Sequence, residues 1–201
     1  MDATTPVSTR RQAACQDLLA KVRALHASKG ATPAVLKKSR DLLVALAGQT
    51  DLFPMSDFAM PDAQGRNHML DDAANDGFGL YLTIAMPGKE AAPHDHGIWC
   101  VNAAISGAEL QRFYRLTNKK TAAEGHARIK ETSRIILEPG IGMVMADHDI
   151  HSTDVLGDVP YVGLAMYGYA ISRFPAVVWY HTEFDHVRAC ASRRPAAIAA
   201  Q

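Results

Sequence analysis

Pro93-His94-Asp95-His96-Gly97-Ile98-Trp99-Cys100-Val101 is the stretch on which the reading of this chain turns. It reads as one β-strand, in which successive side chains point to opposite faces. On that reading His94, His96, Ile98 and Cys100 share a face, while Asp95, Trp99 and Val101 take the other. Same-face neighbours on a strand are roughly 7 Å apart at the backbone, so two imidazoles placed this way can lean together onto one metal ion. A bare His-x-His also suits an exposed strand end. The surroundings sharpen it: Pro87, Gly88 and Pro93 before the pair and Gly107 after it bracket the segment with turn residues.

A third ligand is sought downstream, in Asp147-His148-Asp149-Ile150-His151. Its two histidines are three apart, so on a strand they face opposite ways and only one can join His94 and His96. Asp147 or Asp149 would instead complete a two-histidine, one-carboxylate set. His68, His126, His181 and His186 lack strand-spaced partners and read as surface residues.

Composition narrows the function classes. At 201 residues the chain can bury one good core, most simply as a single domain. Lys plus Arg (21) equals Asp plus Glu (21), so no charge excess argues for nucleic acid or an anionic membrane as partner, and a small molecule is expected. Cys15, Cys100 and Cys190 are too few and too scattered for a disulfide framework, which fits a reducing cytoplasm. The first residues carry neither a basic start nor an apolar core, so no signal peptide is expected. No apolar run is long and clean enough to span a bilayer.

The chain opens with helices. Leu18, Leu19, Val22 and Leu25 recur at helical spacing over about Thr9–Ser28, and Gly30 is placed to end the run. Thr32 suits an N-cap and Pro33 the first helical position of a second helix, with Leu36, Leu43 and Leu46 on one face before Gly48. Cys15 and His26 read as ordinary helix residues. Beyond Phe53-Pro54 the texture changes to short apolar bursts, and Leu80–Ile84, Trp99–Ile105, Leu110–Leu116, Ala127–Leu137, Met143–Ala146 and Tyr161–Ile171 read as strands separated by turns such as Glu138-Pro139-Gly140. Many short strands predict an antiparallel sandwich or barrel. The expected division is a helical part over 1–60, a β-barrel over 61–185 and a frayed, small-residue tail over 186–201.

Taken whole, Gly88-x5-His94-x-His96-x3-Cys100-x6-Gly107 resembles the first signature motif of the cupin superfamily, with Cys100 where most cupins carry a glutamate ligand. A cysteine there, with the His-Asp-His core and a downstream histidine, is similar to the thiol dioxygenases, the family of cysteine dioxygenase and bacterial 3-mercaptopropionate dioxygenase. The likeness runs from the helical front to about Arg173. It implies a mostly β fold, a cupin-type double-stranded β-helix (jelly-roll barrel) preceded by two or three α-helices. It also implies one Fe(2+) held by His94, His96 and, as the histidine of the second motif, His151, with His148 in reserve. The implied activity is oxidation of a small thiol acid by O2 to a sulfinate, with no organic cofactor. A homo-oligomer is left open.

In that family a serine, a histidine and a tyrosine alternate along one strand as a hydrogen-bonded relay. Here the positions read Gly163, Ala165 and Tyr167, so the tyrosine is present without its partners, and two small residues are expected to enlarge the site. The resemblance further implies that Arg66, in the Arg66-Asn67 step, or Arg173 beyond the tyrosine grips the substrate carboxylate, and that Cys100 and Tyr167 can join as a thioether. Arg112 and Arg115 read as surface or ion-pair residues. Two other readings stand beside this one: a three-histidine cupin oxidising or cleaving a diketone or other oxygen-chelating substrate with Cys100 inert, and a non-catalytic small-molecule-binding cupin.

Overall fold

The computed structural model describes residues 5–61, 64–72, 77–117, 128–173, 177–181 and 186–188. His126, Cys190 and the tail beyond 188 lie outside these residues.

Two helices come first, α1 (Val7–Lys29) and α2 (Pro33–Ala47), followed by two short 3-10 turns. The α2 start forms for the reasons visible in sequence: the Thr32 hydroxyl accepts the Val35 N–H at 3.4 Å, and Pro33 occupies a first-turn position where no N–H is needed. Gly30 ends α1 with φ at 64°. Cys15, Leu18, Leu19 and Val22 of α1 are buried together with Leu36, Leu43, Leu46 and Ala47 of α2. His26 stacks on Trp99 with ring centroids 4.8 Å apart, a packing role. Among the described residues no helix is long and apolar enough to cross a membrane.

Eleven strands follow: β1 (Gly65–Asp72), β2 (Gly79–Ala85), β3 (Glu90–Asp95), β4 (Cys100–Ser106), β5 (Ala108–Leu116), β6 (Ile129–Leu137), β7 (Gly142–Met145), β8 (Ile150–Leu156), β9 (Tyr161–Tyr167), β10 (Val178–His181) and β11 (His186–Arg188). They form two antiparallel sheets, ordered β1-β2-β9-β4-β7 and β11-β10-β3-β8-β5-β6. From β2 to β9 consecutive strands lie in opposite sheets except for the hairpin β5–β6, and these eight have the order of a double-stranded β-helix, or jelly roll. The fold is therefore the expected one, with the sheet continuing into the segment read as tail, since β11 pairs with β10.

The first sheet is buried on both faces. Leu80, Leu82, Ile84, Val101, Ala103, Ile105, Val162, Leu164 and Met166 point outward and pack under the helices. The alternate positions, Ala85, Cys100, Ala104, Tyr161 and Tyr167 among them, point into the space between the sheets. That is why β2, β4 and β9 read as continuous apolar runs. The strands of the second sheet are more polar, and β1, β3 and β8 carry too little apolar signal to stand out in the sequence.

The stretch 93–101 is not one strand. Asp95 Oδ1 accepts the Gly97 N–H at 3.0 Å, and Gly97 adopts φ of 65°, a left-handed conformation that glycine takes without strain. The chain turns there and crosses between sheets. His94 lies at the end of β3 in the second sheet, His96 on the turn, and Cys100 at the start of β4 in the first. Ile98 consequently packs with Trp99 in the helix-side core rather than sharing a face with the histidines. The run Tyr161–Ile171 is likewise shorter as a strand, since β9 stops at Tyr167 and a 3-10 turn spans Ile171–Arg173.

The two framing glycines separate by experiment. Gly107 has φ of 69°, and a Cβ there would run into the Pro160 carbonyl and sit 2.9 Å from the Tyr161 Cα; Gly88, φ 74°, has open space around it. Gly88→Ala should cost about 1 kcal/mol, the left-handed penalty alone, and Gly107→Ala at least twice that, read by denaturant unfolding. Equal losses would contradict this account of Gly107.

Candidate metal centre

The second sheet builds most of the centre. Antiparallel pairing of β3 with β8 sets His94 directly opposite His151, with ring centroids 4.4 Å apart. The register shifts between Ala91 and His94, around Pro93, which has no N–H to give to a ladder. There the Ala92 carbonyl accepts the His94 Nδ1–H at 2.8 Å, leaving His94 Nε2 for the centre. His96 arrives from the turn, its ring centroid 4.7 Å from that of His94. Its Nε2 lies 3.1 Å from His151 Nε2. Among the described residues His94, His96 and His151 are the one group of three metal-ligating side chains, with ligand atoms within 4.8 Å of one another.

This donor set fits an ion. Two imidazole nitrogens bound at right angles, each about 2.1 Å from a metal, are roughly 3 Å apart. That is the spacing of the His96 and His151 nitrogens. Trp179, opposite His94 in the β10–β3 ladder, stacks on its ring at 4.5 Å and covers that side.

His148 does not belong to the centre. Its φ is 66°, and its side chain is 78% exposed, 3.6 Å from Asp95. Asp149 accepts the Ala146 N–H at 2.8 Å within the turn, and both Asp147 and Asp149 are exposed. His68 is half-buried rather than on the surface, packed edge-on against Phe58 and bonded to the Ala59 carbonyl at 2.9 Å. His181 and His186 lie on β10 and β11.

Beside the histidines a cavity of about 500 Å³ opens between the sheets, a volume in the small-molecule range. Cys100 and Tyr167 face each other directly in the β4–β9 ladder, on its inner side. The Tyr167 ring lies 5.6 Å from that of His96. Arg66 does not reach this space: it pairs with Ile84, on the face turned to the helices, and it is Asn67, paired with Thr83, that lines the cavity. Period-two alternation decides this, because a two-residue match cannot say which residue faces inward. Arg173 is exposed on the 3-10 turn, whose Ile171 lines the cavity. Arg112 pairs with Asp154.

The site also contains groups for which spacing gave no signal. Lys89 is the one cation lining the cavity among the described residues. Glu109 and Gln111 on β5 and Thr153 on β8 line it too, all buried. Gln111 Oε1 accepts from His151 Nδ1 at 2.8 Å, and Gln111 Nε2 donates to Glu109 Oε2 at 2.5 Å. Asn102, two positions after Cys100 on the same face, presents a buried Oδ1 with no hydrogen-bond partner. Alternation along strands of known register would have placed these residues, but β5 and β8 could not be registered from sequence alone. Nor do the small residues of β9 simply widen the site, because a Cβ at Gly163 would run into the Tyr161 phenol, which fills that space.

Burial sets the protonation of the site. It lowers the pKa of all three histidines, His96 to about 3, with the like charge of His94 adding to the shift at His96 and of both others at His151. The imidazoles are thus neutral and ready to ligate. Burial pushes the Cys100 thiol up to about 12 and the Tyr167 phenol upward, so both hold their protons. Glu109 is raised to about 6, chiefly by burial, against the lowering charge of Lys89.

The chain is similar in structure to several solved proteins. One is a cupin superfamily protein from Desulfitobacterium hafniense, 14% identical over 55% of this chain and 83% of that one, TM-score 0.40. Another is a conserved protein with a double-stranded beta-helix domain from Klebsiella pneumoniae, 17% identical over 57% and 86%, TM-score 0.39. DMSP lyases match over 46% of this chain and 39% of theirs, at 17% identity and TM-score 0.32. No protein-family model matches the sequence, and no curated protein matches it either. The jelly roll is established by the strand order itself.

Two predictions follow from this geometry. His94→Ala, His96→Ala and His151→Ala should each lose bound metal by elemental analysis, and His148→Ala should keep it. Metal retained without His151 would remove that residue from the centre. In the metal-free protein, histidines whose pKa falls on folding leave the unfolded chain binding more protons below about 6.5, so their stability contribution is complete above that value and drains as pH falls. Glu109, raised, acts oppositely between about 4.5 and 6. With three histidines against one carboxylate, unfolding free energy should fall from pH 7 to 5. His96→Ala should flatten that slope by about 1.4 kcal/mol per pH unit; an unchanged slope would mean that His96 charges without unfolding.

Proposed function

We propose that this protein is a non-haem iron dioxygenase that oxidises the thiol of a small thiol carboxylic acid to a sulfinate. The observation that carries the reading is the cross-strand pair Cys100–Tyr167 on the inner side of the first sheet, with Tyr167 lining the cavity beside a three-histidine centre. Three neutral imidazoles leave the charge of a divalent ion uncompensated, which favours an anionic, soft sulfur ligand. When bound, ferrous iron supplies the redox chemistry that joins both atoms of O2 to the sulfur.

The chain's own residues handle the rest of the substrate. Lys89, within electrostatic reach of His94 and Glu109, receives the carboxylate in place of an arginine. Tyr167 keeps its proton and donates a hydrogen bond toward the reacting atoms. Trp179 and the apolar walls exclude water from one side of the centre.

A second reading, a three-histidine dioxygenase for diketones, has one observation in its favour: Gly163 and Ala165 bring neither hydroxyl nor imidazole to Tyr167. Oxygen uptake by the iron-loaded protein separates the two. Thiol acids should consume O2 and yield sulfinate by mass spectrometry, with diketones inert; the reverse result would establish the second reading. Lys89→Ala should raise the KM for the thiol acid about tenfold or more at unchanged iron content, the loss of a charge-assisted hydrogen bond. Unchanged kinetics would return that role to an arginine. After turnover, peptide mapping should find a fraction of chains in which Cys100 and Tyr167 are joined with loss of two hydrogens; complete alkylation of Cys100 would refute the crosslink.

A further inference from the structure

We propose that Glu109 is a positioning residue for the metal centre, its carboxylate fixing, through Gln111, the tautomer in which His151 presents Nε2 to the ion. This rests on His151 being a ligand and not on the identity of the substrate.

The argument is one of directionality. An ionised carboxylate only accepts hydrogen bonds, so the Gln111 atom 2.5 Å from Glu109 Oε2 is the amide nitrogen. The other amide atom, Oε1, then faces His151 and can likewise only accept, so the His151 nitrogen 2.8 Å away, Nδ1, carries the ring proton. Nε2 is left with its lone pair, pointed at the His96 nitrogen 3.1 Å away. Two ambiguities, the flip of an amide and the tautomer of an imidazole, are both resolved by one negative charge two links from the centre.

The three ligands differ in this respect. His94 is held by the Ala92 backbone carbonyl, which no side-chain change removes. His151 depends on side chains alone. The relay is rigidly framed: Glu109 and Gln111 are same-face neighbours on β5, Gln111 is paired with Thr153, and His151 with Phe113. Glu109 is 7% exposed and Gln111 1% exposed, so both bonds are made by buried side chains at the cavity wall. Burying a carboxylate is costly unless its lone pairs are used. An apolar residue would serve packing alone better at this position, which argues for a directional role.

The test reads the tautomer without any metal. Long-range 15N–1H NMR of the metal-free protein at pH 8, where Glu109 is ionised, should show His151 protonated at Nδ1. Glu109→Met, of similar volume but without an acceptor, should give mixed tautomers and weaken Co(II) binding 10- to 100-fold, the usual loss for a broken outer-shell bond. Glu109→Gln, whose carbonyl can still accept from Gln111, should restore both. Should Glu109→Met fail to fold, Gln111→Met breaks the next link and should release the tautomer in the same way. A wild-type His151 protonated at Nε2, or Glu109→Met with wild-type tautomer and affinity, overturns the proposal. Wild-type protein with the expected tautomer but no Co(II) binding would instead overturn the metal centre and leave the relay standing.

Discussion

The site depends on the register between β3 and β8. Pairing those strands sets His94 against His151 on one face, and because side chains alternate, a slip of one residue would put the two imidazoles on opposite faces and turn one of them out of the cavity. That register is held from several sides. β10 pairs with β3 and stacks Trp179 on His94, β5 pairs with β8 and brings Gln111 to His151, and Tyr180 donates to the buried Asp95 at 3.0 Å. Asp95 in turn caps the Gly97 N–H and so shapes the turn that carries His96. One carboxylate ties β10 to the turn that carries His96.

The sheet opposite supplies a different kind of constraint. Its outer face is covered by α1 and α2, so β2, β4 and β9 are apolar on both sides and have little freedom to shift. Rigidity there holds Cys100 and Tyr167 face to face. The centre thus sits between a polar sheet that supplies ligands and an apolar sheet that fixes the geometry of the cavity wall, an arrangement suited to holding a charged ion at the edge of a small-molecule pocket.

What the sequence made legible is what local pattern encodes. The caps of α2 and the apolar strands are each written in a few adjacent residues, and the three histidines stand out by their chemistry. The single-strand reading of 93–101 failed because alternation was followed through Asp95-His96-Gly97, where an Asp side chain and a left-handed glycine make a turn. Arg66 and Lys89 show the other limit. Which of two neighbouring residues faces a cavity depends on register with another strand, and that is set by long-range pairing. Glu109 and Gln111 were invisible for the same reason, since β5 gives no local hint that its alternate residues meet His151.

The departures at Gly163, Ala165 and Arg66 share one consequence: the polar groups around the substrate must come from elsewhere in the barrel, and Lys89, Asn102 and Tyr161 are where the cavity places them. The histidine centre itself is untouched by these changes, and it is the claim on which the rest stands. X-ray absorption spectroscopy of the Fe(II)-loaded protein tests it most directly. The account predicts the multiple-scattering signature of three imidazoles with nitrogens about 2.1 Å from the metal, no sulfur scatterer at rest, and one appearing when a thiol acid is added anaerobically. A first shell without the imidazole signature, or with sulfur present before any thiol, would contradict it.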